Sequence, residues 1–185
     1  MKIKHMIPAI AILAFISGCS SSSDTDLIKN GVLEFNKTLT VGEAFDNWGE
    51  CQQKQWKEFS SDNGQRVVQF NCVARNAAPF MQKVKSILTN ESKYDHFGLS
   101  EVTANFQWTI NKDDSFQLNY VGTIWKWSDG KAKEVKGEVG QMLNSVYNNE
   151  STFDLSSLED TESLVAVKTA RAYADMMYVL YDSAK

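Results

Sequence analysis

The stretch that decides the fold is Val102-Thr103-Ala104-Asn105-Phe106-Gln107-Trp108-Thr109-Ile110, followed by Asn111-Lys112-Asp113-Asp114-Ser115 and Phe116-Gln117-Leu118-Asn119-Tyr120-Val121-Gly122-Thr123-Ile124. Val102, Ala104, Phe106, Trp108 and Ile110 alternate with Thr103, Asn105, Gln107 and Thr109. Phe116, Leu118, Tyr120, Gly122 and Ile124 repeat the period of two. Such alternation belongs to antiparallel strands with one buried face, and the polar link between them predicts a hairpin. If Ile110 pairs with Phe116, then Trp108 faces Leu118 and Phe106 faces Tyr120. Trp125 and Trp127 break the parity, since both fall on the face opposite Ile124. Either a helix covers the end of the sheet there, or the pair is an exposed aromatic patch that binds a partner.

Upstream, the strand-like runs Lys54–Phe59 and Arg66–Val73 flank Ser60-Ser61-Asp62-Asn63-Gly64, whose Asn-Gly is a strong hairpin signal. Cys51 precedes the first run and Cys72 lies near the end of the second. A hairpin folded at Ser61–Asp62 therefore brings the two cysteines together at its open end. Helices are expected from Val41 to about Trp48 behind the capping-box spacing Thr40…Glu43, and from Pro79 to about Thr89. Two more are expected over Val135, Val139, Met142, Leu143, Val146 and Tyr147, and from about Glu159 to Asp182. In the last, Ala166, Ala170, Tyr173, Ala174, Met177 and Tyr181 form one stripe. Val32, Leu33 and Phe35 suggest a short lead-in strand. The fold class that follows is α+β, an antiparallel sheet of two hairpins with helices packed on one face, in the order helix–hairpin–helix–hairpin–helices.

The N-terminus has a different character. Lys2 and Lys4 precede an uncharged run from Met6 to Ser17, in the layout of a secretory signal. That run is well short of the ~20 residues needed to span a bilayer. Ile16-Ser17-Gly18-Cys19 resembles the lipobox of bacterial lipoproteins. The resemblance implies cleavage after Gly18, a diacylglyceryl thioether on Cys19 and acylation of the new amino group, with palmitate as a typical chain. Two or more acyl chains hold where one is only marginal. Residues 1–18 are thus expected to be a signal peptide, residues 19–30 the lipidated cysteine and a flexible polar tether, and residues 31–185 a single globular domain. Ser20 after the cysteine implies sorting to the outer membrane, facing the periplasm.

Export also sets the redox state. With Cys19 spent on lipid, Cys51 and Cys72 remain, and a disulfide is the expected pairing. A redox or metal pair is disfavoured, because the spacing is far from Cys-x-x-Cys and only His96 survives processing. The chain carries 19 basic and 23 acidic residues; Lys2 and Lys4 leave with the signal, so 17 basic residues then face 23 acidic ones, a charge of −6. That balance gives no footprint for nucleic acid.

Nothing in the chain spells out chemistry. His96 in Tyr94-Asp95-His96-Phe97 is the sole candidate general base, and a lone histidine in a polar connector reads as a surface residue. Asp113 and Asp114 fit the preferences of a turn. No catalytic residue, metal ligand or cofactor is therefore assigned. The expected role is that of a non-enzymatic envelope module binding a protein partner, with a phage- or conjugation-exclusion factor or inhibitor-type lipoprotein as the second class. A wall hydrolase built on scattered carboxylates is the third.

A further resemblance spans Asn30 to Val73. Asn30-Gly31-Val32-Leu33, Thr40-Val41-Gly42-Glu43-Ala44-Phe45, Trp56, Phe59, Gly64, Val67-Val68 and Phe70 resemble a segment of small uncharacterised Gram-negative lipoproteins. The helix–turn–hairpin opening is also similar to lipoproteins of the SmpA/BamE type and to beta-lactamase-inhibitory proteins. These likenesses imply an envelope setting and a fold, and a fold does not fix a function.

Overall fold

The structure, a computed structural model, describes residues 23–88 and 98–184. The expected signal peptide, Cys19 and His96 lie outside the described residues. The alternating stretch forms β3 (Leu99–Ile110) and β4 (Phe116–Trp127), antiparallel and joined by a tight turn in which Asp114 adopts φ 61°. Ile110 pairs with Phe116 and Trp108 with Leu118, as the pattern predicts. Beyond that the register slips: Gln107 pairs with Tyr120 and Phe106 with Val121, which leaves Asn119 as a bulge. One extra residue moves every later side chain of β4 to the opposite face. Val121, Trp125 and Trp127 consequently point to the helix side and are buried, while Tyr120 joins the open face and donates a hydrogen bond to Glu134. The expected Phe106–Tyr120 pairing is corrected by this bulge, which also accounts for the broken parity of the two tryptophans.

The other hairpin is β1 (Cys51–Ser60) and β2 (Arg66–Ala74), closed by a loop in which Gly64 takes φ 78°, in the left-handed region glycine tolerates. Cys51 and Cys72 form a disulfide, and a bulge between Cys51 and Gln53 marks the start of the pairing. β5 (Ala132–Lys136) adds a fifth strand to β4, giving one antiparallel meander in the order β1-β2-β3-β4-β5. This strand replaces the start of the helix expected from Val135. The helix α4 is confined to Val139–Tyr147, where the Glu138 carboxylate caps it by accepting from the N–H groups of Gly140 and Gln141.

The α+β class holds, and the helices lie on one side of the sheet in two clusters. The first joins α1 (Asp24–Asn30), α2 (Val41–Asp46) and α4 to Val68, Phe70, Phe106, Trp108 and Ile110. The second joins α3 (Ala77–Ile87) and α5 (Leu164–Asp182) to Val102, Trp125 and Trp127, with a one-turn 3₁₀ helix (Leu155–Leu158) between α4 and α5. Val102 and Phe106 are even-numbered neighbours on β3, so both clusters occupy one face. The stripe foreseen on α5 is its packed side, with Ala166, Ala170, Ala174 and Met177 buried. The helix itself begins at Leu164 and not near Glu159, with the Ser163 hydroxyl accepting from the Ala166 N–H at 3.1 Å.

Two expectations near the N-terminus need correction. Ser23 to Asn30 is part of the folded domain and not a tether. Ser23 and Asp26 form a capping box, Ile28 is fully buried, and Arg66 binds both Asp24 and Asp114, tying α1 to the turn ends of both hairpins. The lead-in strand is absent. Around the single Leu33–Asn36 bridge, the Asn36 side chain accepts from the N–H groups of Thr38 and Leu39, a local bond that competes with strand pairing. Val32 and Phe35 remain exposed.

Candidate functional site

The residues singled out from the sequence are not gathered in one place. The exposed-patch reading of Trp125 and Trp127 is overturned: Trp125 is 8% and Trp127 3% exposed. The Trp125 ring meets Phe153 edge-on at 5.9 Å, and the Trp127 ring meets Tyr181 at 5.6 Å. Asp113 and Asp114 sit in the β3–β4 turn, with Asp113 accepting from Ser115 and Asp114 from Arg66. The sequence also contains a Ser-x-x-Lys spacing at Ser128-Asp129-Gly130-Lys131. It forms the β4–β5 turn, where Gly130 has φ 90° and the Lys131 ammonium lies 4.0 Å from the centre of the Tyr181 ring. Tyr181 donates to Asp129 across the same turn. The spacing serves to dock a turn on α5.

What the chain does gather is a polar knot where the two clusters meet. Trp48, Gly49 and Glu50 run from the end of α2 into β1, and Asn149 to Thr152 leave α4. The Trp48 indole N–H donates to the Glu150 carbonyl at 3.0 Å, the Gly49 N–H donates to the Asn149 side-chain oxygen at 2.6 Å, and the Ser151 hydroxyl donates to Glu50 Oε2. Tyr173 of α5 donates to the Thr152 carbonyl at 3.0 Å, fixing the segment from the other side. Asn149 has φ 54°, a left-handed conformation that asparagine adopts more readily than most residues.

Glu50 is the one buried carboxylate among the described residues, 5% exposed, and its Oε1 has no hydrogen-bond partner. It lines a cavity of about 90 Å³ together with Trp48, Trp125, Phe153, Thr123 and Cys72 of the disulfide. Burial pushes the Glu50 carboxyl above its usual range, against the lowering effect of the Ser151 and Thr152 hydrogen bonds. Burial, and then the charge of Glu50, also raises the Tyr173 phenol. Trp125 and Thr152 are shared with a shallow apolar groove on the surface, completed by Ala172, Tyr173 and Met176. Cavity and groove thus lie on either side of those two residues. A glutamate beside a glycine carries no periodic signal. Its flanks do not single it out either: two residues separate the core formers Trp48 and Cys51, and of these Gly49 is exposed while Glu50 is buried.

A carboxyl with a raised pKa binds more protons in the folded state than in the unfolded one. Its contribution therefore falls as pH rises from its ordinary value of 4.5 through the raised folded value. Glu50→Gln is expected to stabilise the protein by ~1 kcal/mol near neutrality, with the gain vanishing below the ordinary carboxylate range. Urea unfolding of both proteins across that pH span measures it. A substitution equally costly at every pH would show that Glu50 is not a strained charge.

On the opposite side of the sheet lies a row of amides. Asn105 donates to Asn71 at 2.7 Å, Gln107 to Gln69 at 3.0 Å and Gln69 to Asn71 at 2.9 Å. Tyr120 lies close over Gly122, the partner of Asn105, where an added Cβ would fall 2.2 Å from the phenol oxygen. The amides pair across the ladder, with Asn105 Oδ1 left buried and without a partner, and on the helix side a buried carboxylate beside a cavity also has an unpaired oxygen. No described helix is long and apolar enough to cross a membrane, and no group of three potential metal-binding side chains occurs among the described residues. Comparisons with protein-family models, curated proteins and solved structures found no match to this chain.

Proposed function

We propose that this chain is a lipid-anchored, non-enzymatic binding module of the bacterial cell envelope, attached through Cys19 to the outer membrane and facing the periplasm. The observation that carries the reading is the position of the first helix relative to the lipobox. Four residues after Cys19, Ser23 already caps α1, and Asp24 is held by Arg66 at the turn end of the sheet. A four-residue span reaches at most ~14 Å, so acyl chains on Cys19 would hold the hairpin turns toward the bilayer. The Glu50 knot sits just before the other end of β1, ten residues from Ser60, or ~33 Å of strand. A domain held this way presents the knot and the groove beside it to the aqueous phase.

The test is metabolic labelling with a palmitate analogue in a Gram-negative host, followed by membrane separation on a density gradient. Wild type should take up label, begin at Cys19 by mass spectrometry and travel with the outer membrane. Cys19→Ala should lose the label. An unlabelled wild-type chain that is recovered without membranes would overturn the anchor.

A further inference from the structure

We propose that the Glu50 cavity is a binding site for a small organic ammonium ion of the alkylammonium class. Glu50 Oε2 is engaged by Ser151, whereas Oε1 is buried and without a partner, and Glu50 is part of the cavity wall. An unpaired buried carboxylate oxygen is costly, and the cost is removed by a donor or a cation that fits beside it. The rest of the wall narrows the choice. Trp48, Trp125 and Phe153 supply aromatic surface, which attracts organic cations through the ring quadrupole.

A hard metal ion would want about six or more oxygen ligands, and the only polar residues of this wall besides Glu50 are Thr123 and Thr152 and the indole-bearing tryptophans. An anion would meet Glu50 itself, and a neutral apolar molecule would leave Oε1 unpaired. At ~30 Å³ per water, 90 Å³ has room for a few waters or for one small alkylammonium ion. Thr152 of the wall and its neighbour Ser151, which donates to Glu50, are both exposed, so this side of the site faces solvent. That the ion comes from solution and not from a lipid head group rests on the anchored orientation proposed above; the binding itself does not.

The experiment titrates the full chain, purified in non-ionic detergent, with methylammonium and tetramethylammonium chloride at constant ionic strength. Binding is read from the fluorescence and indole N–H shifts of the tryptophans. A saturable response is expected for at least one of the two ions, with none for tert-butanol as a neutral isostere. Affinity should fall by about tenfold or more in Glu50→Gln, the loss of one charge-assisted contact, and should weaken toward acidic pH as Glu50 protonates. No saturation, an equal response to tert-butanol, or an unchanged affinity in the folded Gln variant would overturn the site. The pH and isostere arms use wild type, so they decide the matter even if the variant fails to fold. Reconstitution into phosphatidylglycerol vesicles with and without phosphatidylethanolamine separates the sources. Equal methylammonium affinity in both supports a solution ligand, and competition by the ethanolamine lipid overturns that part and the orientation while leaving the site intact.

Discussion

Replacing Phe45 with alanine is expected to remove about 3–5 kcal/mol of folding stability, a large share of the 5–15 kcal/mol typical of a domain. Phe45 is fully buried, and its ring meets Phe106 at 4.9 Å, Phe70 at 5.1 Å and Trp108 at 5.1 Å, all edge-on. It also reaches Trp56 at 6.1 Å. It is thus the plug through which α2 seats on β1, β2 and β3 together. A helix of six residues does not persist on its own propensity, so α2 depends on that seat, and α1 packs against α2 in turn. Gly42 illustrates how close the packing is: a Cβ there would lie 2.9 Å from the Lys29 carbonyl oxygen. Urea denaturation followed by tryptophan fluorescence measures the loss, with Phe45→Leu as the milder control at about 1 kcal/mol. If alanine cost no more than leucine, the ring cluster would not be what holds α2.

How far the fold can be read from the chain depends on how many residues report the same period. β3 and the start of β4 were legible because five apolar residues alternate on β3, Phe116 and Leu118 answer them on β4, and the polar turn sits between. The bulge at Asn119 was not, because an extra residue has no compositional mark. It left only an indirect trace, the tryptophans on the wrong face. β5 is five residues long with Val135 as its one aliphatic residue of size, too short to display alternation before Gly137, and its valine also fits the helical spacing of α4. α1 was hidden by Asp24, Thr25 and Asp26. They look like linker composition, yet Asp24 and Asp26 act as first-turn acids favourable to the helix N-terminus. The disulfide was legible because counting and topology agreed on it. Glu50 and its cavity were not, since the partners Ser151, Thr152 and Trp125 lie about a hundred or fewer residues away in sequence and meet only after both helix clusters have packed.

Cys51→Ser with Cys72→Ser is expected to cost about 3 kcal/mol, the chain-entropy value for a loop of this size, given the separation of 21 residues. The cost should fall unevenly over the molecule. β1 is an edge strand with most of its side chains exposed, held laterally by β2 alone, and its pairing is interrupted at Gln52 beside the cysteine. The disulfide fixes that loose end, and Glu50 is the residue immediately before it. Without the bond, the segment is held by non-covalent contacts only, among them the Arg75 N–H donating to the Glu50 carbonyl at 2.8 Å, the Trp48 and Gly49 bonds to Glu150 and Asn149, and the Ser151 contact. Amide exchange is therefore expected to accelerate first at residues 48–53 and 149–153, while the β3–β4 pair keeps its protection. Ammonium binding should weaken in parallel, because the carboxylate would lose its fixed position. Hydrogen exchange and urea unfolding of the serine pair, compared with oxidised wild type in the absence of reductant, test both statements. Uniform acceleration across the sheet would mean that the bond acts on the unfolded chain alone. Acceleration confined to the knot would mean that the same covalent link that stabilises the domain also shapes its cavity.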